Sequence, residues 1–186
     1  MRSASATYTV TLDTTCGEVP ITLDAAASPQ TVNNFVFLAQ QGFYDGTTFH
    51  RIVTDFVDQG GDPKGTGSGG PGYSLPDEPV QRAYKGGDVA MARSTAVSGS
   101  QFFLVVSDKG ASELGGPPGQ YNLLGTMSKQ GLAVAQKINT FGTSDSAGTP
   151  SKKIYVFSTK VSGPTAAPSA STTTSSGSST ATTAAP

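Results

Sequence analysis

The chain has 186 residues, a formal net charge of −1 and only 13% charged residues. This length suits one domain with its own hydrophobic core, and the near-neutral charge offers neither a basic stripe for nucleic acid nor an acidic block. One cysteine, Cys16, and one histidine, His50, exclude an internal disulfide and any Cys-rich or His-based metal cluster. We therefore predict no metal, no other cofactor and no nucleic-acid partner.

Residues 1–6 lack the apolar stretch of a signal peptide, and no segment approaches the roughly 20 apolar residues of a membrane span. We predict a flexible N-terminus over 1–6, followed by a soluble domain over 7–161. The cytoplasm is then the default location.

The first part of the domain is predicted to be a hairpin followed by a helix. Thr7–Leu12 and Glu18–Leu23 alternate polar and apolar residues around a turn that ends at Gly17. Helical spacing follows, because Ser28 can cap a helix and Pro29 suits its first position. The predicted helix ends at Gly42, and its apolar face consists of Val32, Phe35, Val36 and Ala39.

The rest of the domain is predicted to be mostly β. Further strands are expected at Thr48–Val53, Phe56–Gln59, Asp88–Ala92, Phe102–Val106, Leu123–Met127 and Ile154–Phe157, and a second helix at Leu132–Ile138. Many antiparallel strands with two helices fit a closed barrel plugged at its ends, because closure leaves no strand edge exposed.

The end of the chain, residues 162–186, contains only Ser, Thr, Ala, Gly and Pro. Such a segment cannot bury enough apolar area to offset its chain entropy, so we predict a disordered tail. Stalks of this composition are common outside membranes, which favours an extracytoplasmic setting. A tail that only improves solubility is an equally good interpretation.

The chemistry of the chain is concentrated around Arg51. The run Phe49-His50-Arg51-Ile52-Val53 is followed by Phe56 and by Gln59-Gly60-Gly61-Asp62, which places a cation, an amide and apolar rings close together. A guanidinium offers five donors and cannot act as a general base, so acid–base hydrolysis is disfavoured. Rotation about an X–Pro bond needs only a fixed donor and an apolar pocket, because its barrier falls when the amide loses planarity.

These residues resemble the signature of the cyclophilin peptidyl-prolyl isomerases. The resemblance continues through Gly99-Ser100-Gln101-Phe102-Phe103 and covers roughly residues 7–161. It implies a closed eight-stranded antiparallel β-barrel capped by two α-helices. It also implies a monomer that acts on proline-containing peptides and unfolded proteins.

The resemblance assigns roles to individual residues. Arg51 matches the catalytic arginine, and Gln59 matches a glutamine that holds the substrate backbone. Ala92 and Arg93 match a strand whose backbone pairs with the bound peptide, and Gln101 matches a groove residue. The proline pocket of the family matches Phe56, Val57, Phe103, Leu114 and Tyr121, although ordinary core packing remains an alternative for Val57 and Leu114.

Several positions depart from the family pattern. Val57 stands where many members have Met, which should leave a roomier pocket, and Arg93 replaces a common Asn. Tyr121 occupies a position often held by His, so an aromatic wall with a polar tip is kept. The stretch Gly115–Gly119 departs most and leaves the alignment of 111–121 open by a residue or two.

The same alignment predicts weak cyclosporin binding. Sensitive cyclophilins place a Trp immediately before the residue that Leu114 matches, and Glu113 stands there in this chain. An ionised carboxylate only accepts hydrogen bonds, whereas the indole N–H donates one to the drug.

Two features invite other interpretations. Gly65–Gly70 matches the phosphate-binding pattern Gly-x-Gly-x-x-Gly, but Pro71 follows where that motif requires a helix, so we predict a surface loop.

A Ser-His-Asp hydrolase is formally possible, yet the chain has no Gly-x-Ser-x-Gly elbow. Neighbours on a strand face opposite ways, so we expect His50 to pack away from the groove with its polar atoms satisfied.

The sequence thus favours a peptidyl-prolyl cis-trans isomerase. Two alternatives remain open: a non-catalytic module that binds proline peptides as a chaperone, and a cell-surface protein whose main function lies in its tail. Neither the natural client proteins nor a role for Cys16 follows from the sequence.

Overall fold

The computed structural model describes residues 7–163, which form one curled antiparallel sheet with three helices. Predictions for 1–6 and for the tail beyond 163 lie outside the described residues and stay predictions. The strands are β1 (Tyr8–Thr14), β2 (Gly17–Leu23), β3 (Arg51–Val53), β4 (Val57–Gly60), β5 (Ser74–Leu75), β6 (Asp88–Arg93), β7 (Val97–Val105), β8 (Leu123–Met127) and β9 (Val156–Ser162). The helices are α1 (Pro29–Gln40), α2 (Asp108–Glu113) and α3 (Lys129–Asn139).

Eight strands follow one another in the order β3-β4-β7-β6-β8-β2-β1-β9, and β5 pairs with β7 beside this path. The predicted hairpin of β1 and β2 is confirmed, with Val10 opposite Ile21 in antiparallel register. The prediction of a mostly β domain built from a curled antiparallel sheet is also confirmed. Two short elements, β5 and α2, were not predicted, and β9 runs to Ser162, which we expected to begin the tail.

The expectation of a fully closed barrel is wrong in one respect. β3 and β9, the two ends of the path, share no ladder of paired residues, and only isolated bridges such as Thr48 with Tyr155 connect their neighbourhoods. The cause is the shortness of β3, whose outer edge is paired with residues 143–148 instead: Ile52 N donates to Gly148 O at 2.7 Å. The edge is therefore covered by a loop rather than by a strand.

The start of α1 differs from expectation in its cap. Pro29 is the first helical residue, as predicted, but Ser28 makes no side-chain capping bond. Glu78 replaces it from a distant loop, because its two carboxylate oxygens accept hydrogen bonds from Gln30 N at 3.0 Å and Thr31 N at 2.8 Å. A carboxylate is well suited to this place, since it satisfies unpaired N–H groups and faces the positive end of the helix dipole.

Alternation along the strands divides the apolar residues between two cores. Phe102 and Leu104 of β7 point into the main core inside the barrel. Their neighbours Phe103 and Val105 point to the opposite face and join a smaller cluster there. The outer face of β7 therefore carries large apolar side chains, and the candidate site lies on this face.

Between residues 7 and 163, no helix is long and apolar enough to cross a lipid bilayer.

Candidate active site

The candidate site begins as a row of residues across four neighbouring strands. Arg51 on β3 lies directly opposite Gln59 on β4, Gln59 lies opposite Phe103 on β7, and Phe103 lies opposite Ala90 on β6. Residues directly opposite each other on paired strands share one face of the sheet. The register therefore sets a cation, an amide and an aromatic ring side by side on the outer face.

A cavity of about 260 Å³ opens at this row. It is lined by Arg51, Phe56, Val57, Gln59, Ala92, Arg93, Phe103, Leu114 and Tyr121. These are nine of the ten residues that the sequence analysis named. The tenth, Gln101, lines a neighbouring cavity. The structure thus brings the named side chains together, while their roles in catalysis remain proposals.

Arg51 is held at both ends of its guanidinium. Its Nε donates to the carbonyl oxygen of Ser146 at 3.0 Å, and its Nη1 donates to Gln59 Oε1 at 3.4 Å. These contacts occupy two of the five N–H groups that a guanidinium carries. No residue among 7–163 accepts a hydrogen bond from Nη2 in this arrangement, so this amino group can serve a ligand in the cavity.

The apolar wall of the cavity is built around Phe103. Its ring meets the ring of Tyr121 edge to face, with centroids 5.2 Å apart and planes at 88°. Tyr84 fixes the backbone of that tyrosine, because its hydroxyl donates to Tyr121 O at 2.7 Å and accepts from Tyr121 N at 2.9 Å. Val57 and Leu114 are buried beside Phe103, so they belong both to the cavity wall and to the outer core.

The polar side of the cavity is one continuous hydrogen-bonded chain. From Gln59, whose Oε1 accepts from Arg51, the chain continues through Nε2, which donates to Gln101 Oε1 at 3.0 Å. Gln101 Nε2 then donates to the carbonyl oxygens of Gly67 at 3.0 Å and Gly69 at 2.8 Å. The arginine is in this way connected to the glycine-rich loop.

The glycine-rich stretch is a loop, as predicted, and it is folded around Asp62. The buried carboxylate accepts N–H bonds from Lys64 at 2.7 Å, Thr66 at 2.9 Å, Gly67 at 2.7 Å and Gly69 at 3.0 Å. Burial by itself raises the pKa of Asp62, but these four backbone donors stabilise the charged form and lower the pKa to about 2. The N–H groups that might have bound a phosphate are therefore already occupied.

Beyond the polar chain lies a second cavity of about 510 Å³. Arg93 lines both cavities, and its guanidinium forms a two-pronged ion pair with Asp77, in which Nη2 lies 3.2 Å from Oδ2. Lys64 and Tyr73 line this second cavity and were not named from the sequence. They stand in a loop without periodicity, so no sequence pattern could have placed them there.

Ala92, the second-last residue of β6, lies unpaired beside the cavity. The register between β6 and β7 shifts between Met91 and Arg93, and β8 pairs with β6 only as far as Ala90. Among the described strands, Ala92 consequently has no partner in either ladder. Unpaired backbone of this kind can accept an extended peptide as an additional strand.

His50 lies outside both cavities, as expected, but it is not satisfied as expected. β3 begins at Arg51, so His50 precedes the strand. Its two ring nitrogens are buried and make no hydrogen bond of ordinary geometry with the described residues. Burial lowers the pKa of His50, and this outweighs the opposing effects of the charge on Asp62 and of the nearby Thr48 backbone.

The site contains no arrangement suited to a metal. Between residues 7 and 163, no three His, Cys, Asp or Glu side chains converge in a way that could hold an ion.

Comparison with known proteins agrees with this geometry. The family model for "Cyclophilin type peptidyl-prolyl cis-trans isomerase/CLD" matches residues 9–161. The chain is 40% identical over 132 residues to a peptidyl-prolyl cis-trans isomerase of Helicobacter pylori, which covers 69% of this chain and 78% of the relative. It is 38% identical over 172 residues to a probable peptidyl-prolyl cis-trans isomerase B of Mycobacterium tuberculosis, and spans 54% of that protein's length.

Solved structures show the same fold. A cyclophilin type peptidyl-prolyl cis-trans isomerase of Cryptosporidium parvum superimposes with a TM-score of 0.72 and 26% identity, over 84% of this chain and 98% of that one. A second structure of that protein, determined in the presence of the dipeptide Ala-Pro, gives a TM-score of 0.68 and 27% identity. By its sequence and by its fold, the chain belongs to the cyclophilin-type peptidyl-prolyl cis-trans isomerases, a family of isomerase enzymes.

Proposed function

We propose that this chain catalyses rotation about X–Pro peptide bonds, with Arg51 as the donor to the proline nitrogen. The observation that carries the proposal is the position of Arg51 at the same small cavity as Phe56, Phe103 and Tyr121. A ring-lined cavity of about 260 Å³ suits a prolyl ring, and a charged donor at its edge can reach the nitrogen of that ring.

The chemistry requires the donor to act on the twisted amide. In the transition state the nitrogen becomes pyramidal and regains its lone pair, so a donor aimed at it binds the transition state better than either planar ground state. Uncatalysed exchange takes tens to hundreds of seconds, and millisecond exchange requires a barrier lower by about 6 to 7 kcal/mol. A charge-assisted hydrogen bond in a site shielded from water, together with desolvation of the amide, can lower the barrier by an amount of this size.

The groups beside the cavity hold the peptide on one side of the rotating bond. Gln59 and Gln101 present amide groups to the substrate backbone. The backbone of Ala92, which has no partner in either ladder, can pair with the substrate as a strand does, and so can the side of Arg93 that faces away from its partner Val97. When one side of the bond is held while the other turns, binding energy can be used to lower the barrier to rotation. We propose proline-containing peptides and unfolded proteins as substrates of a monomer, without a metal or another cofactor.

The test is a cis/trans exchange assay on an Ala-Pro peptide with the wild type and Arg51→Ala. Loss of the charged donor should cost roughly 2 to 4 kcal/mol, or about 30- to 1000-fold in kcat/KM, while the fold stays cooperative. Lys160→Ala is a suitable control, because it removes an exposed cation on β9. If Arg51→Ala keeps activity within threefold of the wild type, the mechanism is wrong. If the wild type binds the peptide without accelerating exchange, the chain is a non-catalytic binding module.

A further inference from the structure

The segment 143–148, which follows α3, is built onto the strand that carries Arg51. Ile52 N donates to Gly148 O at 2.7 Å, and Thr143 N donates to Ile52 O at 3.2 Å. The segment thereby covers the outer edge of β3, where a closed barrel would have another strand. Its position is fixed by backbone pairing to the residue next to the arginine.

The same segment contacts the arginine side chain itself. Ser146 O accepts the Nε hydrogen of Arg51 at 3.0 Å, on the side of the guanidinium away from the Gln59 contact. A long side chain samples many rotamers in water, whereas a hydrogen-bond donor is effective in catalysis only within a narrow range of positions. Two contacts at different nitrogens of a planar group fix both its place and its plane.

We infer that residues 143–148 are a positioning element that orients the Arg51 guanidinium so that its unoccupied N–H groups face the proline cavity. The inference rests on the proposed function, because it matters for activity only if Arg51 is the donor. The segment touches no reacting group, so it acts through the arginine.

Gly148 makes this close approach possible. Its φ of +61° lies in the left-handed region. A Cβ at this position would stand 2.8 Å from Val53 Cγ2, 2.9 Å from Arg51 Cγ and 3.1 Å from Ile52 O. A methyl group therefore requires the segment to move away from β3, and the Ser146 carbonyl moves with it. The turn is closed by Asp145, whose Oδ1 accepts the Gly148 N–H at 3.0 Å.

The chain offers a matched control for this glycine. Gly46 also has a left-handed φ, +77°, but a Cβ there would meet nothing within 4 Å. Alanine at either position suffers the same kind of backbone strain. Only at Gly148 does it also press on the arginine.

The experiment measures kcat and KM separately for Gly148→Ala and Gly46→Ala, by exchange spectroscopy on an Ala-Pro peptide at several concentrations. Gly148→Ala should lower kcat about tenfold and leave KM within about twofold, because a misplaced donor weakens transition-state binding. Gly46→Ala should keep both constants within about twofold of the wild type, since it disturbs no group near the cavity. Equal effects of the two variants on kcat would overturn the inference.

A double variant distinguishes positioning from general damage. In the Arg51→Ala background, Gly148→Ala should change kcat by less than about twofold, because the group it orients is gone. An undiminished tenfold loss in that background would contradict the inference. If Gly148→Ala does not fold, Asp145→Ala decides alone: a kcat at least about threefold lower with unchanged KM supports the positioning role, and an unchanged kcat rejects it.

The failure of this inference and that of the proposed function have different signatures. Full activity of Arg51→Ala would reject the proposed function. An inactive Arg51→Ala beside a Gly148→Ala that behaves like Gly46→Ala would reject the positioning role alone.

Discussion

Asn139, the last residue of α3, donates a hydrogen bond from Nδ2 to Oδ1 of Asp58 on β4 at 2.7 Å. The same amide donates to Val53 O at 2.9 Å, and its oxygen accepts from Asp55 N at 2.9 Å, so it ties the helix end to the β3–β4 hairpin. Asp58 is fully buried, and its Oδ2 is buried without a hydrogen-bond partner among the described residues. Burial raises the pKa of Asp58 to about 8, although the bond from Asn139 opposes this.

Asp58→Asn should change how stability depends on pH. The pKa of an Asp in the unfolded chain is about 3.9. Between that value and about 8, the folded state holds one proton more than the unfolded state, so the free energy of unfolding falls as pH rises. Relative to Asp58→Asn, which stays neutral, the wild type should lose about 1.4 kcal/mol per pH unit in this window. Denaturant unfolding at pH 5, 6 and 7 measures the difference, and parallel curves would show that Asp58 is ionised in the fold.

Isomerase activity should be nearly constant from about pH 6 to 9. Bond rotation consumes no proton, and a guanidinium keeps its charge over this range. Burial lowers the pKa of His50 from its ordinary value, and the ring lies outside both cavities. A bell-shaped profile centred near the ordinary histidine value of about 6.5 would implicate His50 in the chemistry. A fall near pH 8 that disappears in Asp58→Asn would instead be traced to the buried carboxyl of β4.

Cyclosporin should bind this protein about ten- to hundredfold more weakly than it binds sensitive cyclophilins, which corresponds to roughly 1.4 to 3 kcal/mol. Glu113 is exposed at the end of α2, next to Leu114 in the cavity wall. Its carboxylate cannot donate to a drug carbonyl and packs less area than an indole. An inhibition titration of the wild type beside Glu113→Trp tests this. Low-nanomolar inhibition of the wild type, or no gain on introducing Trp, would refute the alignment around Gly115–Gly119.

Asp62→Asn should loosen the glycine-rich loop and reduce activity moderately. The carboxylate of Asp62 accepts four backbone N–H bonds, and an amide presents a donor where one of its oxygens now accepts. Gln101 bonds the carbonyl oxygens of Gly67 and Gly69, so disorder in the loop reaches the polar side of the cavity. We expect faster amide hydrogen exchange over 64–69 and about three- to tenfold lower kcat/KM, the effect of losing one or two hydrogen bonds.

The control for the loop variant is Asp24→Asn, which alters a carboxylate that caps a remote turn through Ala27 N. It should leave both amide exchange over 64–69 and activity unchanged.

The contribution of Asp62 to folding stability should depend on pH. Because the folded pKa of Asp62 is about 2, below the unfolded value of about 3.9, this contribution is complete above pH 4 and is lost as pH falls towards 2. A loop that remains ordered in Asp62→Asn would refute the anchoring role.

Local patterns were sufficient for much of the fold. The alternation in Thr7–Leu12 and Glu18–Leu23 predicted the first hairpin, and Pro29 marked the start of α1. The short helix α2 was missed because six residues carry too little periodicity to be recognised. The cap of α1 was misassigned to Ser28 for a different reason, since Glu78 reaches Gln30 from 48 residues away.

The sequence by itself determined the strand-rich class, the cluster around Arg51 and the family resemblance, because alternation and motif spacing depend on residues close together in the chain. Only the tertiary structure decided that the barrel ends meet through a loop, that Asp58 is buried and pairs with Asn139, and that Ser146 holds the arginine from 95 residues away. These relationships arise from strand order and from the path of the chain after α3. Contacts of this kind are set by the packing of the whole domain, so no local pattern carries them.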